Sequence, residues 1–312
     1  MARKRKRKRT RPAVTLDKIR RFNRLIPYRV SESIVARSDK LAIAVLRDFF
    51  GQDWIDHYIY GSAKSKFLTC IESPDEDRER QRMRRVVLTE MLFNLQTIKG
   101  FQCVRSKMQE GDIESTYGAL EIARMIVTTA TDTKLWFRFV PESKILRRDY
   151  DLSIRFSDGV AVRAETKCKM EETEITLRTI EATLSRAKEQ LPHHVPGIVF
   201  IKVPRNWIED ERFAAKMIAL AKRSISRSPW IVSVKFYTVR IVYERDNLGE
   251  STGEIVAFSE HTNDAHKFRR YRKRNWHMFP STGPAERPRQ MNYNGLPSTW
   301  QRLFVQNTEL PT

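Results

Sequence analysis

The sequence predicts an α/β protein whose sheet has strands of mixed direction, preceded by a helical region. Three observations predict it. Apolar residues recur at three- and four-residue steps early in the chain, as Leu41, Ala44, Val45, Phe49 and again as Met83, Val86, Val87, Met91. From about residue 111 the pattern changes to helix, three short strand-like runs, helix, strand, helix and strands. Two of those runs alternate strictly and are joined by Ser157-Asp158-Gly159, a turn signal.

The elements follow in chain order. Residues 1–20 read as a basic arm, because Arg3 to Arg9 is unbroken Arg and Lys and nothing apolar recurs up to about residue 14. Such a segment has nothing to bury and is expected to be disordered. Residues 21–110 read as a helical accessory region, with Ser73-Pro74-Asp75-Glu76-Asp77 as a charged loop between two helices. Residues 111–262 form the domain expected to carry chemistry. Its helix at about 113–128 precedes strands at about 135–140, 150–156 and 160–168. A helix at about 173–191 presents Leu177, Ile180, Leu184, Ala187 and Leu191 to a core, and Pro192 and Pro196-Gly197 end it. The apolar run 198–203 is a buried strand, followed by a helix at about 208–222 and strands near 231–237 and 239–245. Residues 263–312 are a basic, aromatic extension without a clear period.

The net charge is +20, from 58 Lys and Arg against 38 Asp and Glu. That excess calls for a polyanion partner. It is concentrated at the ends, in the run that includes Arg3, Lys4 and Arg5 and in Arg269-Arg270-Tyr271-Arg272-Lys273-Arg274. The second run, flanked by Phe268 and Trp276, suits phosphate contact with base stacking. No apolar run is long enough to span a bilayer and no basic amphipathic helix is evident, so a membrane partner is not expected. The basic N-terminus has no apolar stretch behind it, unlike a secretory signal. The expected setting is the cytoplasm or nucleoid, or the nucleus in a eukaryote. Cys70, Cys103 and Cys168 show no CxxC pairing, which points to reduced, mostly buried thiols. His193-His194 lacks helical ligand spacing and receives no metal role.

The hairpin carries the chemistry. In Asp149 to Phe156, Tyr150, Leu152, Ile154 and Phe156 share one side, and Asp151, Ser153 and Arg155 the other. In Val160 to Lys169, Val160, Val162, Ala164, Thr166 and Cys168 oppose Arg163, Glu165, Lys167 and Lys169. A two-residue loop would mix these faces. A three-residue loop with Gly159 left-handed pairs Phe156 with Val160, Ile154 with Val162 and Leu152 with Ala164, and the apolar faces match. Asp151 then stands opposite Glu165, with Cβ atoms about 5 Å apart, and Lys167 opposite Asp149. Facing carboxylates repel unless a divalent cation lies between them, and magnesium takes one or two carboxylates plus phosphate oxygens. A lysine beside such a site orients water and offsets developing charge.

Asp151, a hairpin, and then Glu165-Thr166-Lys167 at a strand end resemble the PD-(D/E)XK, or restriction-endonuclease-like, nuclease superfamily. That family places an acid before a hairpin and an E-x-K or D-x-K triplet after it, often with a Glu on the preceding helix, where Glu121 stands here. The resemblance covers roughly residues 113 to 204. Asp132-Thr133-Lys134 and Glu142-Ser143-Lys144 also fit the triplet, but neither closes a hairpin that begins with an acid. No Pro precedes the acid, so Asp149 and Asp151 compete for the metal position; strand parity favours Asp151.

The resemblance implies a restriction-endonuclease-like core and a magnesium- or manganese-dependent endonuclease that hydrolyses phosphodiesters, with DNA more expected than RNA. Asp151, Glu165 and the Thr166 carbonyl would bind the metal. Lys167 would sit near the nucleophilic water, Glu121 would join the catalytic set from the preceding helix, and Asp149 and Gln190 would be auxiliary residues. The terminal basic runs would hold the backbone without reading sequence. The helices of 21–110 would supply target choice or protein contacts, a homodimer among them. The rival expectation is a nucleic-acid-binding or assembly protein, for DNA or RNA, that keeps this fold without catalysis.

Overall fold

The structure is a computed structural model and describes residues 14–27, 34–61, 67–69, 75–129, 136–141, 150–156, 158–169, 174, 176–246 and 249–271. They form two compact units that divide between Thr89 and Glu90.

The first unit contains α1 (Leu16–Leu25), α2 (Ile34–Phe50), α3 (Gln52–Tyr58) and the larger part of α4 (Asp75–Leu95). α1 begins inside the span read as a basic arm. The Thr15 hydroxyl accepts from Lys18 N at 3.3 Å, and Ile19 gives the helix an apolar residue to bury. Residues 1–13, with Arg3, Lys4 and Arg5, lie outside the described residues. Asp75, Glu76 and Asp77 open α4 rather than closing a loop. Acids are favoured at a helix N-terminus, where the macrodipole is positive. One buried cation joins this unit. Arg85 donates from Nε and Nη2 to the two carboxylate oxygens of Asp39, at 2.7 Å each, and from Nη1 to Leu68 O at 2.8 Å.

The second unit takes in the end of α4, α5 (Phe101–Gln109) and α6 (Ile113–Thr129). α5 therefore belongs with the sheet, not with the helices before it as the sequence suggested. The sheet has six strands in chain order: β1 (Trp136–Phe139), β2 (Leu152–Arg155), β3 (Ala161–Cys168), β4 (Gly197–Lys202), β5 (Ile231–Asp246) and β6 (Gly249–Thr262). The β1–β2, β2–β3 and β5–β6 pairs are antiparallel; β3–β4 and β4–β5 are parallel. α7 (Leu177–Gln190) connects β3 to β4, and α8 (Arg205–Glu209) and α9 (Glu211–Ser226) connect β4 to β5. The expected order and mixed strand direction are both present.

Three details differ from the expectation. The helix read at 208–222 is two helices, broken at Asp210, whose carboxylate accepts from Phe213 N at 3.1 Å and caps the second. The strands read at 231–237 and 239–245 are one continuous β5. β6 was not expected; before its apolar run Ile255-Val256-Ala257-Phe258 it opens with Gly, Glu, Ser, Thr, Gly and Glu. Ladder pairing along β5 supplies what strand propensity lacks there. The first residues of the C-terminal extension are anchored to this unit: Asn263 Nδ2 donates to Ile225 O and Ile231 O, and His266 is buried.

The two sheet faces have different cores. On one, α7, α8 and α9 pack Ile180, Leu184, Trp207 and Met217 over Val199, Ile201 and Phe236. On the other, α6 lies so close to β3 that a Cβ on Gly118 would stand 3.5 Å from the Cys168 Cβ. β3 is thus covered on both sides where Ala164, Glu165 and Thr166 lie, and all three are buried. Among the described residues, no helix is long and apolar enough to cross a membrane.

α5 is seated on β1 by Lys99 O, which accepts from Phe139 N at 3.0 Å, and by Gly100 at φ +87°. A Cβ on Gly100 would stand 2.1 Å from Phe139 O. Gly100→Ala is therefore expected to destabilise the protein by about 2 kcal/mol or more, through left-handed strain and loss of this seat. The shift of the denaturant midpoint relative to wild type measures it.

Candidate active site

The hairpin adopts the expected register. Leu152 pairs with Ala164, Ile154 with Val162, and Phe156 N donates to Val160 O at 2.8 Å. Gly159 takes φ +82°, which no other residue type adopts so cheaply, and its N–H donates to Phe156 O at 3.0 Å. Leu152, Ile154, Phe156, Val162 and Ala164 are all buried on the expected side.

The alternation breaks at Asp151. Its N–H donates to Ala164 O at 3.1 Å and its carbonyl accepts from Val140 N at 3.0 Å, so the chain bends. The carboxylate does not lie face to face with Glu165 as the regular hairpin predicted. It turns to the edge of β3, where Oδ2 accepts from Thr166 N at 2.9 Å and Thr166 Oγ1 at 2.6 Å. Two donors on Thr166 stabilise the carboxylate there and account for the bend, while Asp151 stays near enough for its charge to act on Glu165. Thr166, expected only to offer its carbonyl, instead holds Asp151 through its amide and hydroxyl. The same bend carries Tyr150 away from the Leu152 side, leaving its ring half-buried 5.4 Å beneath the Arg163 guanidinium.

Glu165 and Lys167 share one face of β3, two residues apart. Lys167 Nζ lies 2.6 Å from Glu165 Oε1 and donates to Gln190 Oε1 at 2.5 Å. Gln190, the last residue of α7, thus joins the group as the resemblance implied. Glu165 is 2% exposed, and its Oε2 has no hydrogen-bond partner. Burial holds the Glu165 carboxyl well above the usual carboxylate range; the charge of Asp151 raises it further, and Lys167 only partly counteracts. Lys107 of α5 completes the group, with Nζ 3.4 Å from Asp151 Oδ1. Sequence reasoning missed it, because its approach depends on how α5 docks on β1.

Glu121 is not brought to this group. It is 2% exposed on α6, and Oε1 accepts from Lys202 Nζ at 2.8 Å. Lys202 pairs with Cys168 in the β3–β4 ladder, on the face opposite Glu165 and Lys167. The sheet therefore separates the two acids. Burial, then the Glu121 charge, pushes the nearby Tyr237 phenol well above its usual value. Arg124 pairs with Glu90 at 3.4 Å instead of with Glu121. Cys103 and Cys168 are free thiols and half-buried rather than fully buried. Asp149, Cys70, Arg272, Lys273 and Arg274 lie outside the described residues. Arg269, Arg270 and Tyr271 form a short 3-10 turn after β6, both arginines exposed, with the Arg270 guanidinium 5.8 Å from the Tyr271 ring.

Whether a divalent cation fits can be judged from Glu165. A buried carboxylate oxygen without a donor is costly. A hard cation satisfies such an oxygen, and magnesium needs only one or two protein carboxylates besides water and phosphate. Among the described residues no set of three His, Cys, Asp or Glu side chains gathers, and Asp151 and Glu165 are the carboxylates those residues would offer such an ion. No family model and no curated protein matches this chain.

The Glu165 shift has a definite sign. An acid whose folded pKa is raised carries no penalty below its unfolded pKa, near 4.5, and destabilises the fold as pH rises from there through the folded pKa. In chelator, wild type is expected to lose stability relative to Glu165→Gln as pH rises above about 4.5 toward neutrality. Thermal unfolding of both proteins across that window checks it, and parallel curves would remove the case for a buried, uncompensated carboxyl.

Proposed function

We propose that this chain is a metal-dependent nuclease with a restriction-endonuclease-like core, hydrolysing phosphodiester bonds, with DNA favoured over RNA. The observation that carries the reading is Glu165. It is a buried carboxylate with one oxygen unsatisfied, next to Asp151 and held by the lysine two residues along its strand. The order α6-β1-β2-β3-α7-β4 and the net charge of +20 support it. A cytoplasmic or nucleoid setting, nuclear in a eukaryote, belongs to the same reading, as does a homodimer or protein contact through the first unit.

Asp151, Glu165 and the Thr166 carbonyl would hold magnesium or manganese. Such an ion supplies Lewis-acid stabilisation of phosphoryl charge and lowers the pKa of bound water. Lys167 has three N–H donors. Two serve Glu165 Oε1 and Gln190 Oε1, and the third is available to orient a water or a phosphoryl oxygen. Gln190 and Glu165 fix the amine from two directions, so little reorganisation is needed when charge develops. Thr166 fixes Asp151 in the same way.

A second reading, a nucleic-acid-binding protein of this fold without catalysis, is favoured by the number of internal partners on Asp151. Thr166 N, Thr166 Oγ1 and Lys107 Nζ all address its carboxylate. Supercoiled plasmid incubated with wild type, Lys167→Ala and Glu165→Gln, in magnesium, manganese or chelator, separates the two. The nuclease reading expects metal-dependent nicking by wild type and a loss of about a hundredfold or more in each variant. Intact plasmid throughout, with no manganese binding by calorimetry, would favour the binding protein.

A further inference from the structure

The open face of β1 and β2 runs directly to the acidic group. Strand alternation places Trp136 and Arg138 of β1, Ser153 and Arg155 of β2, and Arg163 of β3 on the same face as Glu165 and Lys167. Arg163 Nη1 donates to Ser153 Oγ at 2.8 Å, which fixes that shared face. α7 and α9 cover the sheet from β3 onward, but the outer end of this face is exposed. Trp136 is 57% exposed, and Arg138 and Arg155 are exposed with no carboxylate partner among the described residues. Among the described residues of the hairpin the other carboxylate is Asp158, at the turn, where it accepts from Val160 N at 3.1 Å.

An indole left in water between two free guanidiniums is a poor use of surface unless something covers it. Phosphates complement the arginines, and a base complements the indole, since stacking on aromatic side chains needs only an exposed π-face. Bases inside a duplex are stacked on each other and present only their edges. The occupant that fits both features is therefore a single strand. The Trp136–Arg155 row lies four residues from Asp151 along the strands, about 13 Å. That distance is roughly four stacked nucleotides at 3.4 Å each.

We propose that this face of β1–β3 is a docking track for single-stranded nucleic acid, with Arg138, Arg155 and Arg163 on phosphates and Trp136 stacked on an unpaired base. The track rests on the nuclease reading for where the strand leads, and not for its binding. It places substrate contacts within the sheet itself, where the sequence reading had put them in the terminal basic runs.

The test uses the full chain in chelator, with fluorescein-labelled 12-nucleotide single-stranded DNA, the matching RNA and the matching DNA duplex, from about 0.1 to 0.3 M salt. Arg138→Gln/Arg155→Gln is expected to weaken single-strand binding roughly tenfold and to flatten the salt slope by about 1.4, or 0.7 for each phosphate contact. Trp136→Ala is expected to weaken single-strand binding by about tenfold with the slope unchanged and duplex binding unaffected. The tighter of the two single strands identifies the natural source. Affinities within twofold of wild type for all variants, or a Trp136→Ala loss confined to the duplex, would overturn the track. Variants that lose single-strand binding, beside a wild type that cuts nothing with metal, would uphold the track and sink the nuclease reading.

Discussion

Burial of the middle of β3 on both faces is the constraint on which this unit depends. α6 presses on one face and α7 on the other, so residues 164, 165 and 166 lose water on both sides. A strand in that position normally carries only apolar residues. Here two of the three are Glu and Thr, and each polar atom needs a partner. Thr166 answers by binding Asp151 through its amide and hydroxyl. Glu165 answers with one oxygen on Lys167 and leaves the other without a donor. The site is the direct consequence of placing polar residues where the fold excludes water.

That placement is unfavourable on its own terms. Desolvation of a carboxylate costs several kcal/mol before any pairing, and the raised Glu165 pKa reflects it. The opposite sheet face holds a second buried acid paired with a lysine. Glu121 is equally buried: its Oε1 meets Lys202, which lies over the Tyr117 ring at 5.0 Å, and its Oε2, like that of Glu165, has no hydrogen-bond partner. Glu121 and Lys202 join α6 to β4 on the sheet face opposite Glu165. Around Glu165 the polar groups instead come from α5, β2, β3 and the end of α7. An open oxygen is common to both faces; what sets this face apart is a second carboxylate beside the first in a group assembled from several elements, and that difference favours chemistry here.

Much of the fold was legible because its signals are local. Period-two alternation, the Gly159 turn and the apolar faces of α7 and β4 gave the hairpin register and element order before any coordinates. The shared face of Glu165 and Lys167 was legible from that register, whereas Gln190 came only from the family resemblance. It was not legible where tertiary docking decides. Lys107 is remote in sequence from the hairpin and meets Asp151 only because Gly100 lets α5 sit on β1. Glu121 shares the helix that precedes the hairpin, but helix position alone does not say which sheet face the helix covers. The bend at Asp151 was hidden for another reason: alternation assumes a regular strand, and a carboxylate seeking donors ended it. The first half of β6 escaped because its residues carry no strand pattern and take their form from pairing with β5.

One parity governs the core, the site and the exposed face together. On β2 and β3 the even positions, Leu152, Ile154, Val162 and Ala164, are fully buried. The odd positions, Ser153, Arg155, Arg163, Glu165 and Lys167, carry the polar side chains of the opposite face, while Thr166 and the bend at Asp151 stand outside this alternation. A shift of one residue in register would expose the first set and bury the second. Apolar burial on one side therefore fixes, without further specification, the line of cations that leads to the acids on the other. The left-handed Gly159 and the apolar faces select that register, and the placement of Glu165 beside Lys167 follows from a hydrophobic choice made on the opposite side of the strand.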